Sequence, residues 1–232
     1  MKTPLFTGAC TALVTPFING KVNDSMLEIL LQRQMDAGIG TVVLCGTTGE
    51  SPTLSTDEKL SIFRHAKQYC GNGCTIIAGT GSNSTQKAIE LSRAAEESGV
   101  DGLLVVSPYY NKATPEGLVT HYSSIASAVH IPIILYNVPS RTALDLGPAT
   151  LARLAECDRF IGLKESSNDL SLVMEKMAVI DGRMALYSGN DDLVYNLLTL
   201  KGDGVISVVS NILPGAMNRI CESFFAGDYE SS

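Results

Sequence analysis

Eight short, apolar, β-branched runs recur along this chain, each followed by a stretch with helical periodicity, and no other feature limits the possible folds as strongly. The runs begin near Ala9, Thr41, Thr75, Gly102, Pro132, Phe160, Met184 and Val205. Runs of this length bounded by polar loops read as strands buried on both faces. Between them, segments such as Ala88-Ile89-Glu90-Leu91-Ser92-Arg93-Ala94-Ala95 present one apolar and one charged face, as helices covering a parallel sheet must. Helix starts are marked too: Ser25 with Glu28 and Ser55 with Glu58 have capping-box spacing, and Thr114-Pro115-Glu116 offers an N-cap followed by proline. Eightfold alternation predicts an α/β protein, a closed (β/α)8 TIM barrel forming a single domain over residues 1–232. The competing open, doubly wound sheet expects a glycine-rich dinucleotide loop after its first strand. That place holds Thr15-Pro16-Phe17-Ile18, and no GxGxxG follows any strand.

Barrel enzymes carry their chemistry at the C-terminal ends of strands, so functional residues are expected at the strand ends of this chain. Lys164 closes the run Phe160-Ile161-Gly162-Leu163. In water a lysine has a pKa of about 10.4 and is almost wholly protonated at pH 7, whereas desolvation to about 8 leaves roughly a tenth as free amine. Lys164 is therefore a candidate imine-forming nucleophile; the alternative is a rim lysine that snorkels to solvent. Gly46-Thr47-Thr48-Gly49-Glu50-Ser51 follows the second strand and reads either as a carboxylate cradle of backbone N–H groups or as a tight turn. Tyrosines stand after the fourth strand, in Ser107-Pro108-Tyr109-Tyr110-Asn111, and the fifth, in Tyr136-Asn137-Val138-Pro139-Ser140-Arg141-Thr142. Imine chemistry moves protons between nitrogen and oxygen repeatedly, and Tyr136 with Thr47 suits such a relay. Arg141 has a planar fork for a second carboxylate, its alternative being an exposed helix cap.

The rest of the composition narrows the partners. A net charge of -7 and a pI near 4.9 argue against nucleic acid, whose phosphates are bound by clustered cations. No apolar run reaches the roughly 20 residues a bilayer span needs, and the N-terminus lacks a basic region leading into a hydrophobic stretch, so a soluble, cytoplasmic protein without membrane contact is expected. Cys10, Cys45, Cys70, Cys74, Cys157 and Cys221 are scattered through apolar segments and form no disulfide framework. Cys70 and Cys74 are too far apart for CxxC and His65, His121 and His130 are dispersed, so no metal site is expected.

These motifs, with Gly162-Leu163-Lys164-Glu165, Ser188-Gly189-Asn190-Asp191 and Gly204-Val205-Ile206-Ser207, resemble the dihydrodipicolinate synthase family of pyruvate-dependent lyases and aldolases, which includes N-acetylneuraminate lyase. The resemblance runs from Phe6 to about Tyr229. It implies a 4-hydroxy-tetrahydrodipicolinate synthase, a lyase that condenses pyruvate with L-aspartate 4-semialdehyde on the diaminopimelate route to lysine. Under that resemblance Lys164 forms the imine, Thr48 holds the pyruvate carboxylate, and Tyr136, Thr47 and Tyr110 relay protons, with Tyr110 supplied by a neighbouring subunit of a dimer or tetramer. Arg141 receives the acceptor's carboxylate, and Gly189 and the Ile206 backbone line the pyruvate pocket. No cofactor or metal is implied, because the protonated imine is itself the electron sink.

The chain also departs from the family. Members normally continue past the eighth unit into further helices, so the family's C-terminal helical segment is expected to be missing here, where the chain stops at Gly227-Asp228-Tyr229-Glu230-Ser231-Ser232. In members inhibited by lysine, the effector site includes a histidine and an acidic residue at positions matching Thr56, Lys59 and Lys87; two cations there predict weak or absent lysine inhibition. Three alternatives differ in acceptor or in class: a sister lyase acting on a sialic acid or sugar acid, a non-catalytic barrel, and a sugar-phosphate barrel.

Overall fold

A computed structural model describes residues 3–232. Its core is a closed barrel of eight parallel strands: β1 (Gly8–Ala12), β4 (Thr41–Leu44), β5 (Thr75–Gly79), β6 (Gly102–Val106), β7 (Ile133–Asn137), β8 (Phe160–Glu165), β9 (Ala185–Ser188) and β10 (Gly204–Ser207). β1 closes the ring, pairing with β10 through Gly8–Gly204 and with β4 through Thr11–Val42. Each predicted strand start lies within one residue of the observed one. β2 (Phe17–Ile18) and β3 (Lys21–Val22) form a small hairpin after β1, an addition to the predicted eight units.

The helices are α1 (Asp24–Asp36), α2 (Thr56–Cys70), α3 (Thr85–Glu97), α4 (Pro115–Ala126), α5 (Pro139–Thr142), α6 (Pro148–Leu154), α7 (Leu170–Ile180), α8 (Val194–Thr199) and α9 (Pro214–Phe225). Ser55 and Glu58 make both halves of the capping box that opens α2, and the Thr114 side chain accepts from the amide of Gly117 at the start of α4. The Ser25–Glu28 box does not form. Asn23 caps α1 instead, its side chain accepting from the Met26 amide, because helical geometry already begins at Asp24 and leaves Ser25 inside the first turn.

Two apolar layers result. One lies between strands and helices and includes Leu31, Phe63, Leu103, Tyr122, Ile133, Leu163 and Val173. The other fills the barrel with Cys10, Val43, Ile77, Leu104, Ile134 and Ile206, and is sealed by the stacked rings of Phe6 and Tyr187 at 4.2 Å. Gly162 makes room for that seal, since a Cβ there would stand 2.9 Å from the Tyr187 ring.

β7 and β8 change register once. Ile133 pairs with Phe160, yet Ile134 pairs with Gly162, so Ile161 is an extra residue in β8. Strand side chains alternate faces with period two, and such an insertion resets which face every later residue occupies. Beyond it Tyr136 stands beside Lys164 and Asn137 beside Glu165.

Candidate active site

At the C-terminal mouth of the barrel lies a cavity of about 890 Å³. Lys164, Tyr136, Thr47, Thr48, Arg141 and Gly189 all line it. β8 delivers Lys164, β7 delivers Tyr136, the turn after β4 delivers Thr47 and Thr48, and the one-turn helix α5 carries Arg141. That helix is pinned by the Thr142 hydroxyl, which donates to the Val138 and Leu144 carbonyls at 3.2 and 3.0 Å.

Lys164 is 4% exposed, and its Nζ lies 4.5 Å from the centre of the Tyr136 ring. Burial pulls its pKa down to about 8, with the Arg141 charge pushing the same way and the Asp191 carboxylate opposing. The amine is thus part-neutral near physiological pH, as a nucleophile requires. Burial acts oppositely on Tyr136 and raises its pKa, while the Ser166 and Thr47 hydroxyls and the Arg141 charge hold it back. The phenol stays protonated and can give a proton to a developing alkoxide.

Two residues expected at the site, Ile206 through its backbone and Tyr110 from a neighbouring subunit, are not among those lining this chain's cavity. Ile206 is fully buried in the barrel interior as the register partner of Cys10, and is not among the side chains bounding the cavity. Tyr110 is 89% exposed at φ 73°, while its neighbour Tyr109 faces the cavity. A positive φ is unusual for a bulky residue, and the Tyr110 side chain stands in solvent.

The structure adds residues that sequence reading missed. Ser166, Ser140, Asn190 and Asp191 line a second, polar recess of about 690 Å³ that shares Ser140, Ser166, Gly189 and Asn190 with the main cavity. Asp191 Oδ2 accepts from the amides of Val208 and Val209, both at 3.0 Å. Behind the site, the fully buried Lys176 donates to Asp145 Oδ1 at 2.6 Å and to Glu165 Oε2 at 2.8 Å, and Asn137 Nδ2 donates to both carboxylates. A signal for Lys176 was present: it falls on the apolar stripe Val173, Lys176, Ile180 of α7, where a lysine needs a buried partner. Among the described residues, no group of three His, Cys, Asp or Glu side chains converges as a metal site. No helix among them is long and apolar enough to cross a membrane.

Comparison with known proteins points the same way. The model of the dihydrodipicolinate synthetase family matches residues 5–232. The chain is 45% identical over 228 residues to the 4-hydroxy-tetrahydrodipicolinate synthase of Geobacter sulfurreducens, covering 98% of this chain and 79% of that one. Among solved structures, the chloride-inhibited dihydrodipicolinate synthase of Acinetobacter baumannii complexed with pyruvate superposes with a TM-score of 0.94 at 42% identity, over 97% of this chain and 78% of the other. A monomeric dihydrodipicolinate synthase variant gives 0.95 at 39% identity, over 98% and 77%.

Proposed function

The chain belongs to the dihydrodipicolinate synthetase family, and we propose that its Lys164 cage carries out the family's reaction, the condensation of pyruvate with L-aspartate 4-semialdehyde to 4-hydroxy-tetrahydrodipicolinate. The protein is a lyase of diaminopimelate and lysine biosynthesis. The observation that carries the assignment of roles is a lysine 4% exposed with its amine 4.5 Å from a buried tyrosine ring.

The neutral amine of Lys164 adds to the ketone carbon of pyruvate, the carbonyl pair moves to oxygen, and a proton passes from nitrogen to that oxygen through the Tyr136 and Thr47 hydroxyls. Tyr136 then protonates the resulting hydroxyl, the C–O bond breaks, water leaves, and the nitrogen pair forms the protonated imine. Loss of a methyl proton back to the phenolate gives an enamine. Its carbon attacks the aldehyde carbon of the acceptor, the nitrogen pair re-forms the protonated imine, and the new alkoxide takes a proton from the Tyr136 phenol. The acceptor's amine finally displaces Lys164 from the imine carbon and closes the ring.

Thr48 and the backbone of its turn suit the pyruvate carboxylate, Gly189 keeps the wall beside Lys164 open, and Arg141 at the mouth suits the acceptor carboxylate. Ile206 supports the pocket from the barrel interior. The outward-facing Tyr110 favours a homo-oligomer, dimer or tetramer, in which a second copy receives it. We read residues 1–232 as one domain, closed by β1 against β10, and place it in the cytoplasm, where its pathway operates.

Pyruvate with borohydride tests the reading. An irreversible adduct should appear on Lys164 and vanish in Lys164→Ala; a folded wild-type protein that takes no label overturns it. Comparing aspartate semialdehyde with sugar aldehydes as acceptors then separates this reaction from a sister lyase.

A further inference from the structure

Arg141 is exposed, and its guanidinium has no hydrogen-bond or ion-pair partner among the described residues. Its place at the cavity mouth therefore follows from where its backbone is held. α5 is a single turn, too short to keep its own shape. The chain reverses after it at Ala143, whose φ of 56° a non-glycine residue keeps only where the surroundings fix it. The fixing group is Asn137. This fully buried residue ends β7 immediately before the loop, and its Oδ1 accepts from the amide of Leu146 at 2.9 Å, where the loop returns. Its Nδ2 donates to Asp145 Oδ1 at 2.7 Å and to the Glu165 oxygens at 2.8 and 3.0 Å. Lys176 bonds both of those carboxylates, so the staple is itself held from α7. An aspartate of the same shape would lack the donors and set a third negative charge beside the other two, and a leucine would leave the Leu146 amide unmet.

We propose that Asn137 is a positioning residue for Arg141: its side-chain amide staples both ends of the loop 138–146 to the barrel and so fixes where the guanidinium meets the acceptor's carboxylate. The inference rests on the reading of Arg141 as the group that receives that carboxylate. The Thr142 hydroxyl, bonded to the Val138 and Leu144 carbonyls, makes the first part of the loop one unit, and the Asn137 amide ties its returning end to the sheet. A misplacement of about 1 Å in a substrate-orienting group costs up to about 100-fold. Lys164 does not hang on this loop, because β8 carries it in register with Tyr136. Loss of the staple therefore weakens use of the acceptor and spares the chemistry of pyruvate.

The test reads pyruvate and acceptor separately. In Asn137→Ala, borohydride trapping of pyruvate on Lys164 should stay within about twofold of wild type, while half-saturating L-aspartate 4-semialdehyde rises roughly 10-fold or more. In an Arg141→Ala background the same substitution should change acceptor half-saturation less than about twofold, because the group it positions is gone. Asp145→Ala removes one arm of the staple at a partly exposed position. It should give a smaller rise, about threefold, and keeps the test open should Asn137→Ala not fold. Wild-type acceptor half-saturation in either folded variant overturns the proposal. So does pyruvate trapping that slows in step with the loss of acceptor use, or an equal rise in both backgrounds, since each marks a general loosening of the barrel. Arg141→Ala that keeps wild-type acceptor half-saturation overturns the carboxylate reading of Arg141 instead, so the two failures are distinguishable.

Discussion

Lys164 stands beside Tyr136 across β7 and β8 because β8 carries one residue, Ile161, that β7 leaves unmatched. With strand side chains alternating faces, the bulge decides that Lys164 and Tyr136 share the barrel interior while Glu165 and Asn137 share the outer face. A single residue thereby divides nucleophile and relay from the ionic network that anchors them.

Imine formation should follow the charge on Lys164. With a pKa lowered to about 8, the free-amine fraction falls about tenfold per pH unit below that value and levels above it. Stopped-flow trapping of pyruvate between about pH 6 and 9 should show that slope and that plateau. A flat profile would place the amine's pKa outside this range.

Keeping that amine buried lowers stability, and the pH window follows from the direction of the shift. The folded pKa of about 8 lies below the ordinary lysine value of 10.5, so between them the unfolded chain binds more protons and stability rises with pH. Below about pH 8 the full penalty is present, about 3 kcal/mol near pH 7 for a shift of this size. Lys164→Met should therefore be inactive yet more stable than wild type at pH 7, with the gap closing towards pH 10.5. Urea unfolding at both pH values measures it.

Lys176 is equally buried but fully paired, and its removal should have the opposite effect. Asp145 and Glu165 both bond its ammonium, at 2.6 and 2.8 Å. Lys176→Met leaves two carboxylates facing each other without a cation, a loss of about 4 kcal/mol. Adding Glu165→Gln should restore part of it. Equilibrium unfolding of the single and double variants decides, and a loss below about 1 kcal/mol would show that the network relaxes freely.

The barrel and much of the site were legible in the sequence because both depend on local pattern. Strands buried on both faces leave continuous apolar runs, and a lysine ending one, as Lys164 ends Phe160-Ile161-Gly162-Leu163, is conspicuous. What escaped depends on distant pairs. Ile161 as a bulge is invisible without its partner strand. Ser166 becomes informative only when Gly189, from another strand end, is seen to leave room for it. Ser25 and Glu28 illustrate the converse: cap spacing alone could not decide against Asn23, because both satisfy local chemistry and only the helix's true first turn selects between them.

Inhibition by L-lysine should be weak. The cavity lining includes Thr56, Lys59 and Lys87, and burial already lowers the pKa of Lys59, so a further ammonium beside it meets repulsion in a partly desolvated setting. Glu90 is the acidic group at the same wall, but one of its oxygens already accepts from Gln86 at 2.8 Å. Half-inhibition should lie above about 1 mM L-lysine, and Lys59→Glu should lower that concentration by reversing the sign of the local charge. Titration of both proteins in the condensation assay checks the pair, and sub-millimolar inhibition of the wild type would show that the two cations turn away from the effector.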